Sequence, residues 1–336
     1  MKEVRVAVVG VGYWGPNLVR NLLKIPKVKI VGVCEISKYN LSKFSKNYPS
    51  IKTTSNYKQL LEDDTIDLIA IATPVTTHYK LAHEALLANK HILLEKPMTR
   101  TVTQALSLIR LARQKQRLIM VSHTYVYSGA VQKIKELILK KELGDIYYFD
   151  SIRINSEFIK SDVNVIWDLA PHDLSILNFI FAEKPLTIQA LYLYRKSPIP
   201  YEMAHLMIKY QKGIIAHIHV NWPSPVKIRK ILIGGSKKLI IYDDIEPSEK
   251  IRIYETSVPI DPTTVTPFAP AYRSGNVSIP QLNQTEALYA ELVHCIDCIR
   301  KKTIPITDGV DGMKVVELLE ACDKALAKKT EIQLHG

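Results

Sequence analysis

Two stretches of the sequence carry side chains that are suited to moving a proton. In LLEKP, Lys96 follows an apolar run and precedes Pro97, which cannot extend a strand. In WDLAPHD, Asp168 and His172 are four residues apart, so they share one face if the stretch is helical. A carboxylate that orients an imidazole is a common general acid–base pair. We therefore predict that Lys96, Asp168 and His172 are catalytic; the alternative for the last two is a helix cap and an unrelated surface histidine.

A second pattern suits the binding of a dinucleotide. GVGYWG places Gly10, Gly12 and Gly15 in a GxGxxG pattern after an apolar run, and only 13 glycines occur in the whole chain. Such glycines allow a tight turn, close approach of a pyrophosphate and close packing of the following helix. Tyr13 and Trp14 lie inside the same loop. We predict that all five residues bind the cofactor.

The acidic residue Glu35 ends the next apolar run. A carboxylate at this position can accept hydrogen bonds from the ribose hydroxyls of NAD, and it would repel the 2′-phosphate of NADP. Lys38 lies three residues further on and could offset that repulsion. The pattern favours NAD, and NADP remains possible.

The first part of the chain alternates short apolar segments with helical patterns. This alternation predicts a doubly wound parallel sheet, a Rossmann domain. The predicted strands are residues 4–10, 29–35, 67–73, 91–96 and 117–123. Ligands bind at the carboxyl ends of such strands. The predicted cofactor contacts at these ends are Thr73, Pro74, His78, Glu95, Lys96 and Pro97.

The later part of the chain has a different pattern, with consecutive strands and few helices between them. It predicts an α+β domain on an open, mostly antiparallel sheet. The predicted strands are residues 186–194, 202–211, 214–222, 226–233 and 237–242, and the closing helices are 284–301 and 310–328. Residues 257–283 are predicted to form a long loop. We place the dinucleotide-binding domain at 1–123, and the substrate-binding and oligomerisation domain at 124–336.

Composition limits the class of protein. The 336 residues carry a net charge of +12, with the basic residues scattered along the chain, so nucleic acid is not an expected partner. The charge indicates either a solvated basic surface or attraction of an anionic ligand. No apolar run reaches the roughly 18 residues of a membrane helix, and the N-terminus lacks a signal core, so a cytoplasmic location is expected. The four cysteines are too few for a disulfide scaffold in a chain of this size. The CxxC of Cys295 and Cys298 is expected to be a pair of packing residues, and a redox or metal role is the alternative.

Histidines alternate along the predicted strand IIAHIHVNW. His217 and His219 therefore face one way, opposite an apolar face. No carboxylate or cysteine accompanies them in the motif, so no metal site is predicted. With Met203, His205 and Met207 they form a face that suits contact between subunits, and we expect a homodimer or homotetramer.

The glycine pattern, the EKP tripeptide and the D-x3-H spacing together resemble the Gfo/Idh/MocA family of oxidoreductases. TPVTTHYKLAHEALLANKHILLEKP, DVNVIWDLAPHDLSIL and PITDGVDGMKVVELLEA extend the resemblance over the whole chain. GYWGPNLVRN and SPVKIRKILIGGSKKLIIYDD resemble a subgroup associated with sugar-nucleotide pathways. The resemblance implies a Rossmann domain followed by an open-sheet α/β domain, a cis peptide before Pro97, and a catalytic lysine, aspartate and histidine at Lys96, Asp168 and His172.

One departure from the family concerns the substrate. Many relatives have an arginine shortly after the strand at 117–123, where this chain has Tyr125 and Tyr127. The candidate substrate contacts are Tyr127, Arg153, Asn155, Asn164, Trp167 and His172. The resemblance implies an NAD-dependent oxidoreductase that acts on a nucleotide-linked sugar, at C3 of a UDP-N-acetylhexosamine. The alternatives are a dehydrogenase of a free sugar or polyol such as inositol, and a non-catalytic sensor of the same fold.

Overall fold

The computed structural model describes residues 2–155, 163–193, 202–255 and 275–334. The strands in these ranges are β1 (Val4–Val9), β2 (Val28–Cys34), β3 (Thr53–Thr54), β4 (Leu68–Ile71), β5 (His91–Glu95), β6 (Ile119–Ser122), β7 (Ile146–Ile154), β8 (Pro185–Tyr192), β9 (Met203–Tyr210), β10 (Ile215–Asn221), β11 (Ile228–Gly235), β12 (Lys238–Asp243), β13 (Ile251–Glu255), β14 (Val277–Ser278) and β15 (Ile332–Gln333). The helices are α1 (Gly15–Leu22), α2 (Lys38–Asn47), α3 (Lys58–Leu61), α4 (Val75–Leu87), α5 (Val102–Lys115), α6 (Gly129–Leu139), α7 (Val165–Ile180), α8 (Ala287–Lys301) and α9 (Gly309–Lys328), with a 3-10 turn at Thr124–Tyr127.

The chain divides into two compact units, each built from two segments. The first contains residues 1–128 and 285–320, and the second contains residues 129–284 and 321–336. The predicted boundary at 123/124 lies close to the end of the first segment. The return of α8 and the first part of α9 to the first unit was not foreseen, because helical periodicity shows that a face is buried but not what covers it.

The first unit is built on a parallel sheet, as predicted. Among the described residues its strands follow the order β3-β2-β1-β4-β5-β6. Strands β4 and β6 are buried along their whole length, which explains why the sequence reads as continuous apolar runs rather than alternation. The strand order reverses at β1, which lies between β2 and β4, and this places the ligand crevice beside the carboxyl end of β1.

The second unit is built on a mixed sheet in the order β14-β13-β12-β11-β7-β10-β9-β8-β15. Among its described pairs, β7 with β10 is parallel and the others are antiparallel. Helix α7 packs on β7, β9 and β10. Ala216, Ile218 and Val220 on β10 are fully buried, while His217 and His219 point to the opposite face, as their alternation predicts. The predicted fold class is confirmed.

Residues 257–274 of the predicted loop at 257–283 lie outside the described residues. Within the described ranges, none of the helices combines the length and the apolarity that crossing a membrane requires.

Candidate active site

The glycine loop has two glycines that the fold requires and one that it leaves open. Gly10 has φ +88°, and a Cβ there would lie 2.6 Å from the carbonyl oxygen of Ala72. A Cβ on Gly15 would lie 2.0 Å from the carbonyl oxygen of Gly10. At Gly12 the nearest atom to an added Cβ is Nδ2 of Asn40, at 3.9 Å. The backbone at Gly12 is therefore open to close approach by a ligand.

The loop leads directly into α1, whose second residue is Pro16, and the backbone N–H of Asn17 donates to the carbonyl oxygen of Trp14 at 2.9 Å. Trp14 is the N-cap residue and its side chain makes no capping hydrogen bond. Its indole nitrogen is buried without a hydrogen-bond partner among the described residues. Tyr13 is 83% exposed. The dipole of a helix favours an anionic ligand such as a pyrophosphate at the helix N-terminus.

Glu35 holds the glycine loop against the end of β2. Its side chain is buried, and its two oxygens accept hydrogen bonds from the backbone N–H groups of Val11 and Ser37, both at 2.8 Å. Each carboxylate oxygen has a second lone pair, so a ribose hydroxyl can still be bound. Ile36 and Tyr39 beside it are exposed apolar surface of the kind that an adenine ring covers. The loop, the acid and this surface fit NAD.

His78 on α4 connects the chain segments that follow β4 and β5. Its Nδ1 lies 2.9 Å from the carbonyl oxygen of Pro97, and its Nε2 lies 2.8 Å from that of Thr73. Pro74 is the N-cap residue of α4. The predicted cofactor residues at these two strand ends therefore form one connected group. The peptide bond between Lys96 and Pro97 is cis, as the resemblance implied.

Lys96 is partly buried at the end of β5. Its backbone N–H lies 3.3 Å from Oε2 of Glu95. Burial, and next the positive charge of Lys96, lower the pKa of His123 to about 3, so His123 is neutral at physiological pH. Both ring nitrogens of His123 are buried without a hydrogen-bond partner within the described ranges.

A buried carboxyl group, Glu291 on α8, belongs to the same region of the first unit. Its Oε2 accepts a hydrogen bond from the hydroxyl of Thr124 at 2.6 Å. Burial raises the pKa of Glu291 to about 8 and the charge of Glu95 adds to the rise, while the hydroxyls of Thr124 and Ser122 act in the opposite direction. Glu291 is therefore largely protonated at neutral pH.

Tyr127 lies in the interior of the first unit. Its hydroxyl is 2.9 Å from Oγ1 of Thr307, and burial raises its pKa. These contacts give Tyr127 a packing role, and the predicted contact with substrate stays a prediction.

In the second unit, α7 carries the predicted acid–base pair. Asn164 caps the helix by accepting a hydrogen bond from the backbone N–H of Trp167 at 3.0 Å. Asp168 follows in the first turn, and its Oδ2 accepts a hydrogen bond from the indole N–H of Trp222 at 3.2 Å. His172 lies one turn later on the same face and is partly buried.

A buried ion pair fastens α7 to β7. The guanidinium of Arg153 donates to both oxygens of Asp173, at 2.7 and 2.9 Å, and the hydroxyl of Ser151 donates to the same carboxylate at 2.9 Å. The pair is bidentate and hidden from water, so it fixes the helix next to His172. Arg153 therefore has a structural role, and its predicted contact with substrate stays a prediction.

The other two candidates of this unit also have contacts within it. Trp167 donates its indole N–H to Oδ2 of Asp323 at 2.9 Å. The backbone N–H of Asn155 donates to the carbonyl oxygen of Asn221 at 3.0 Å. The side-chain oxygen of Asn155 is buried with no hydrogen-bond partner in the described part of the chain, so it remains a candidate for binding substrate.

Three residues of these groups were missed by reasoning from sequence: Trp222, Asp173 and Glu291. Asp173 directly follows His172 in APHD, and this adjacency was an available signal. Trp222 belongs to the apolar face of β10, and Glu291 lies in an apolar helical pattern, so neither carried a signal of its own.

The sheet-face histidines form a stack. The rings of His205 and His219 lie 4.3 Å apart, and Nδ1 of His205 is 3.1 Å from Nε2 of His217. Across the described ranges, no three His, Cys, Asp or Glu side chains form a group that could hold a metal ion.

Comparison with known proteins places the chain in a family. The model of an oxidoreductase family with an NAD-binding Rossmann fold, Gfo/Idh/MocA, matches residues 4–123, and the model of its C-terminal alpha/beta domain matches residues 135–334. UDP-N-acetylglucosamine 3-dehydrogenase of Acidithiobacillus ferrooxidans is 23% identical over 322 residues, which cover 94% of this chain and 95% of that protein. A solved structure of that enzyme matches with a TM-score of 0.83 and 22% identity, over 97% of this chain and 98% of that one.

Two further proteins are similar. Inositol 2-dehydrogenase of Mycolicibacterium smegmatis is 28% identical over 204 residues, which cover 60% of this chain and 58% of that protein. An oxidoreductase from Agrobacterium radiobacter, solved with NAD+, L-tartaric acid and magnesium, has a TM-score of 0.83 at 18% identity, over 99% of this chain and 98% of that one. The chain therefore belongs to the Gfo/Idh/MocA family of oxidoreductases, and its cofactor is NAD.

Proposed function

We propose that this oxidoreductase oxidises a secondary alcohol of a nucleotide-linked sugar, at C3 of a UDP-N-acetylhexosamine. The observation that carries the chemistry is α7, on which Asp168 and His172 share one face and the Arg153–Asp173 pair holds the helix in place. The substrate class is supported by the similarity to UDP-N-acetylglucosamine 3-dehydrogenase over 94% of the chain. The net charge of +12 also suits a ligand that carries a pyrophosphate.

In the proposed mechanism His172 acts as the base. An imidazole has an unperturbed pKa of about 6.5, so it can accept the proton of an alcohol near neutral pH. Asp168 orients the ring, and the indole of Trp222 holds the Asp168 carboxylate. Lys96 donates a hydrogen bond to the reacting oxygen and stabilises the negative charge that develops there. NAD, when bound, supplies the acceptor for the hydride.

Two other functions are weighed against this one. A dehydrogenase of a free polyol is favoured by the similarity to inositol 2-dehydrogenase, which covers 60% of this chain. A non-catalytic sensor would have no need of the proposed acid–base groups, yet Lys96, Asp168 and His172 are all present. We therefore rank the nucleotide-sugar dehydrogenase first and the polyol dehydrogenase second.

The test is a substrate panel followed by the absorbance of NADH. The panel contains UDP-sugars, dTDP-sugars, free hexoses and inositols, with a coupled step where the equilibrium is unfavourable. We expect UDP-N-acetylglucosamine or a close UDP-hexosamine to exceed the free N-acetylhexosamine in kcat/KM by at least about two orders of magnitude, ~3 kcal/mol, because binding of the remote nucleotide helps to position the reacting carbon. Faster turnover of inositol or a free hexose than of every nucleotide sugar would refute the proposal in favour of the second candidate.

A further inference from the structure

Glu291 is a carboxyl group that the proposed mechanism does not use. It is 0% exposed, and its Oε1 has no hydrogen-bond partner among the residues that the structure describes. Its Oε2 is bound by the hydroxyl of Thr124. A carboxylate anion would give up its hydration for very few hydrogen bonds here, which is costly, so the protonated form is favoured. Burial accordingly raises its pKa to about 8.

Few charged groups near Glu291 could balance a negative charge on its side chain. Glu95 at the end of β5, Tyr127 in the 3-10 turn and Cys295 on α8 interact electrostatically with Glu291. His123 directly precedes Thr124 and interacts with Lys96, and the ring of His294 on α8 lies 5.4 Å from that of Tyr127. Burial raises the pKa of Tyr127 and of Cys295, and it lowers the pKa of His123 and of His294, so these four favour their neutral forms. Of the charged groups, Glu95 acts on Glu291 and Lys96 acts on His123, and Glu291 is a third group that can gain or lose a charge.

Helix α8 holds Glu291 in a fixed relation to the glycine loop. Glu286 at the start of α8 accepts hydrogen bonds from two residues of α1, from Nη2 of Arg20 at 2.6 Å and from Nδ2 of Asn21 at 3.0 Å. Helix α1 is the helix whose N-terminus follows GVGYWG. Glu291 is thus attached to the element that would hold the pyrophosphate of the cofactor.

We propose that Glu291 makes the binding of the cofactor depend on the cofactor's oxidation state. Glu291 holds a proton that is released to solvent when NAD+, with its positively charged nicotinamide ring, binds, and that is kept when NADH binds. The inference rests on the proposed function, in which Lys96 binds the reacting oxygen, so that the nicotinamide ring that accepts the hydride would lie near Lys96 at the carboxyl end of β5. The ring of NAD+ carries one positive charge and that of NADH carries none. A positive charge near a buried carboxyl group favours its anion.

Linkage gives the direction of the effect. If NAD+ lowers the pKa of Glu291, then NAD+ binds more tightly to the ionised protein, and its affinity rises with pH until Glu291 is ionised in the free protein as well. The dissociation constant changes by up to about tenfold for each pKa unit of the shift. We expect the Kd of NAD+ to fall by about threefold or more between pH 7 and pH 9, and the Kd of NADH to change by less than about 1.5-fold.

The experiment measures binding and proton release, not turnover. Isothermal titration of NAD+ and NADH at several pH values, in buffers of different ionisation enthalpy, gives both the Kd and the number of protons released. The wild type should release a fraction of a proton on binding NAD+ near pH 7.5, and Glu291→Gln, which is neutral and of similar size, should release less and lose the pH dependence. Thr124→Val removes a hydrogen bond that stabilises the anion and should move the pH dependence upward.

Cys295→Ala is the matched control, because Cys295 is equally buried one turn further along α8 and its pKa is raised by burial. It should keep the wild-type pH dependence. The inference is overturned if Glu291→Gln keeps that dependence, if Cys295→Ala loses it, or if NADH shows it to the same degree. The comparison of NAD+ with NADH in the wild type stands even if a variant does not fold. Failure to bind NAD+ at any pH would instead contradict the assignment of the cofactor.

Discussion

Lys96 and Lys90 show how the same side chain serves two ends of one strand. Lys90 precedes β5, is buried, and donates its ammonium to the carbonyl oxygen of Asp63 at 2.7 Å. Lys96 follows β5 and stands with His78, Glu95 and Pro97 at the edge where parallel sheets bind ligands. The first lysine is stabilised by the protein, and we propose that the second serves the substrate.

This difference predicts different effects of the same substitution. Lys96→Met should reduce kcat by at least about 100-fold, as removal of a donor to a developing anion does, while the Kd of NAD+ stays within about threefold of wild type. Lys90→Met is the matched control and should lower the melting temperature but keep most of the turnover, because it leaves a buried carbonyl oxygen unpaired. Steady-state kinetics, NAD+ titration and thermal melts separate the two. Lys96→Met with turnover near that of wild type would exclude the proposed role.

Residues could be predicted from the sequence where their type conflicts with their surroundings. Lys96 at the end of an apolar run and the Asp168–His172 spacing both carry such a conflict. Glu291 carries the same conflict, but a glutamate in a helical pattern is normally solvated, and only the packing of α8 shows that it is buried. Trp222 continues the apolar face of β10, so its hydrogen bond to Asp168 could not be predicted from the sequence.

Strands and helices could be predicted from the sequence where their hydrophobic periodicity is strong within a single segment. The five predicted parallel strands and the strands β8 to β12 are present, because buried runs and alternation are properties of single segments. The short strands β3, β14 and β15 have two residues each, and they exist only through pairing with β2, β13 and β8. Such pairing joins segments that are distant in the sequence, so no local pattern predicts it.

The histidine stack on β9 and β10 predicts an acid-sensitive element. Burial, and next the neighbouring histidines, lower the pKa values of His205 and His219 in the folded chain. The unfolded chain, with ordinary values near 6.5, then binds more protons as pH falls, so the contribution of the stack to stability is present at neutral pH and is lost below about 6.5. His205→Gln should show a smaller fall in melting temperature between pH 7.5 and pH 5 than the wild type.

His83→Gln provides the control for this experiment, because His83 lies on α4 in the first unit, outside the stack. It should show the wild-type fall in melting temperature. If the melting temperatures of His205→Gln and His83→Gln fall by the same amount between pH 7.5 and pH 5, the stack has no special sensitivity to acid.

At the scale of the molecule, we propose self-association through the face of the second sheet that carries the histidines. Leu191 on β8 is 73% exposed, and Met207 on β9 lies next to the stack with 40% exposed. Both are large apolar side chains on a face that would be polar if it met only water. A second copy of the chain would cover this face with a like surface, as two-fold symmetry allows.

We predict a dimer or tetramer that dissociates when one charged residue is introduced on this face. Leu191→Glu should reduce the mass measured by light scattering at micromolar concentration to that of a monomer or a smaller assembly. Leu139→Glu is the matched control, because Leu139 is 68% exposed but lies on α6, and it should leave the mass unchanged. A monomeric wild type would refute the proposal outright.

The two-segment construction of the first unit affects how the protein is made. Helix α8 packs on α1 and on the 3-10 turn at Thr124–Tyr127, yet the ribosome synthesises it only after β7 to β14. Until α8 emerges, the surfaces of α1 and of the 3-10 turn on which it packs lack this cover, and exposed apolar surface of this kind attracts chaperones or aggregates. A nascent chain that stalls before residue 285 would thus display an incomplete nucleotide-binding unit, whatever the state of the sheet that follows it.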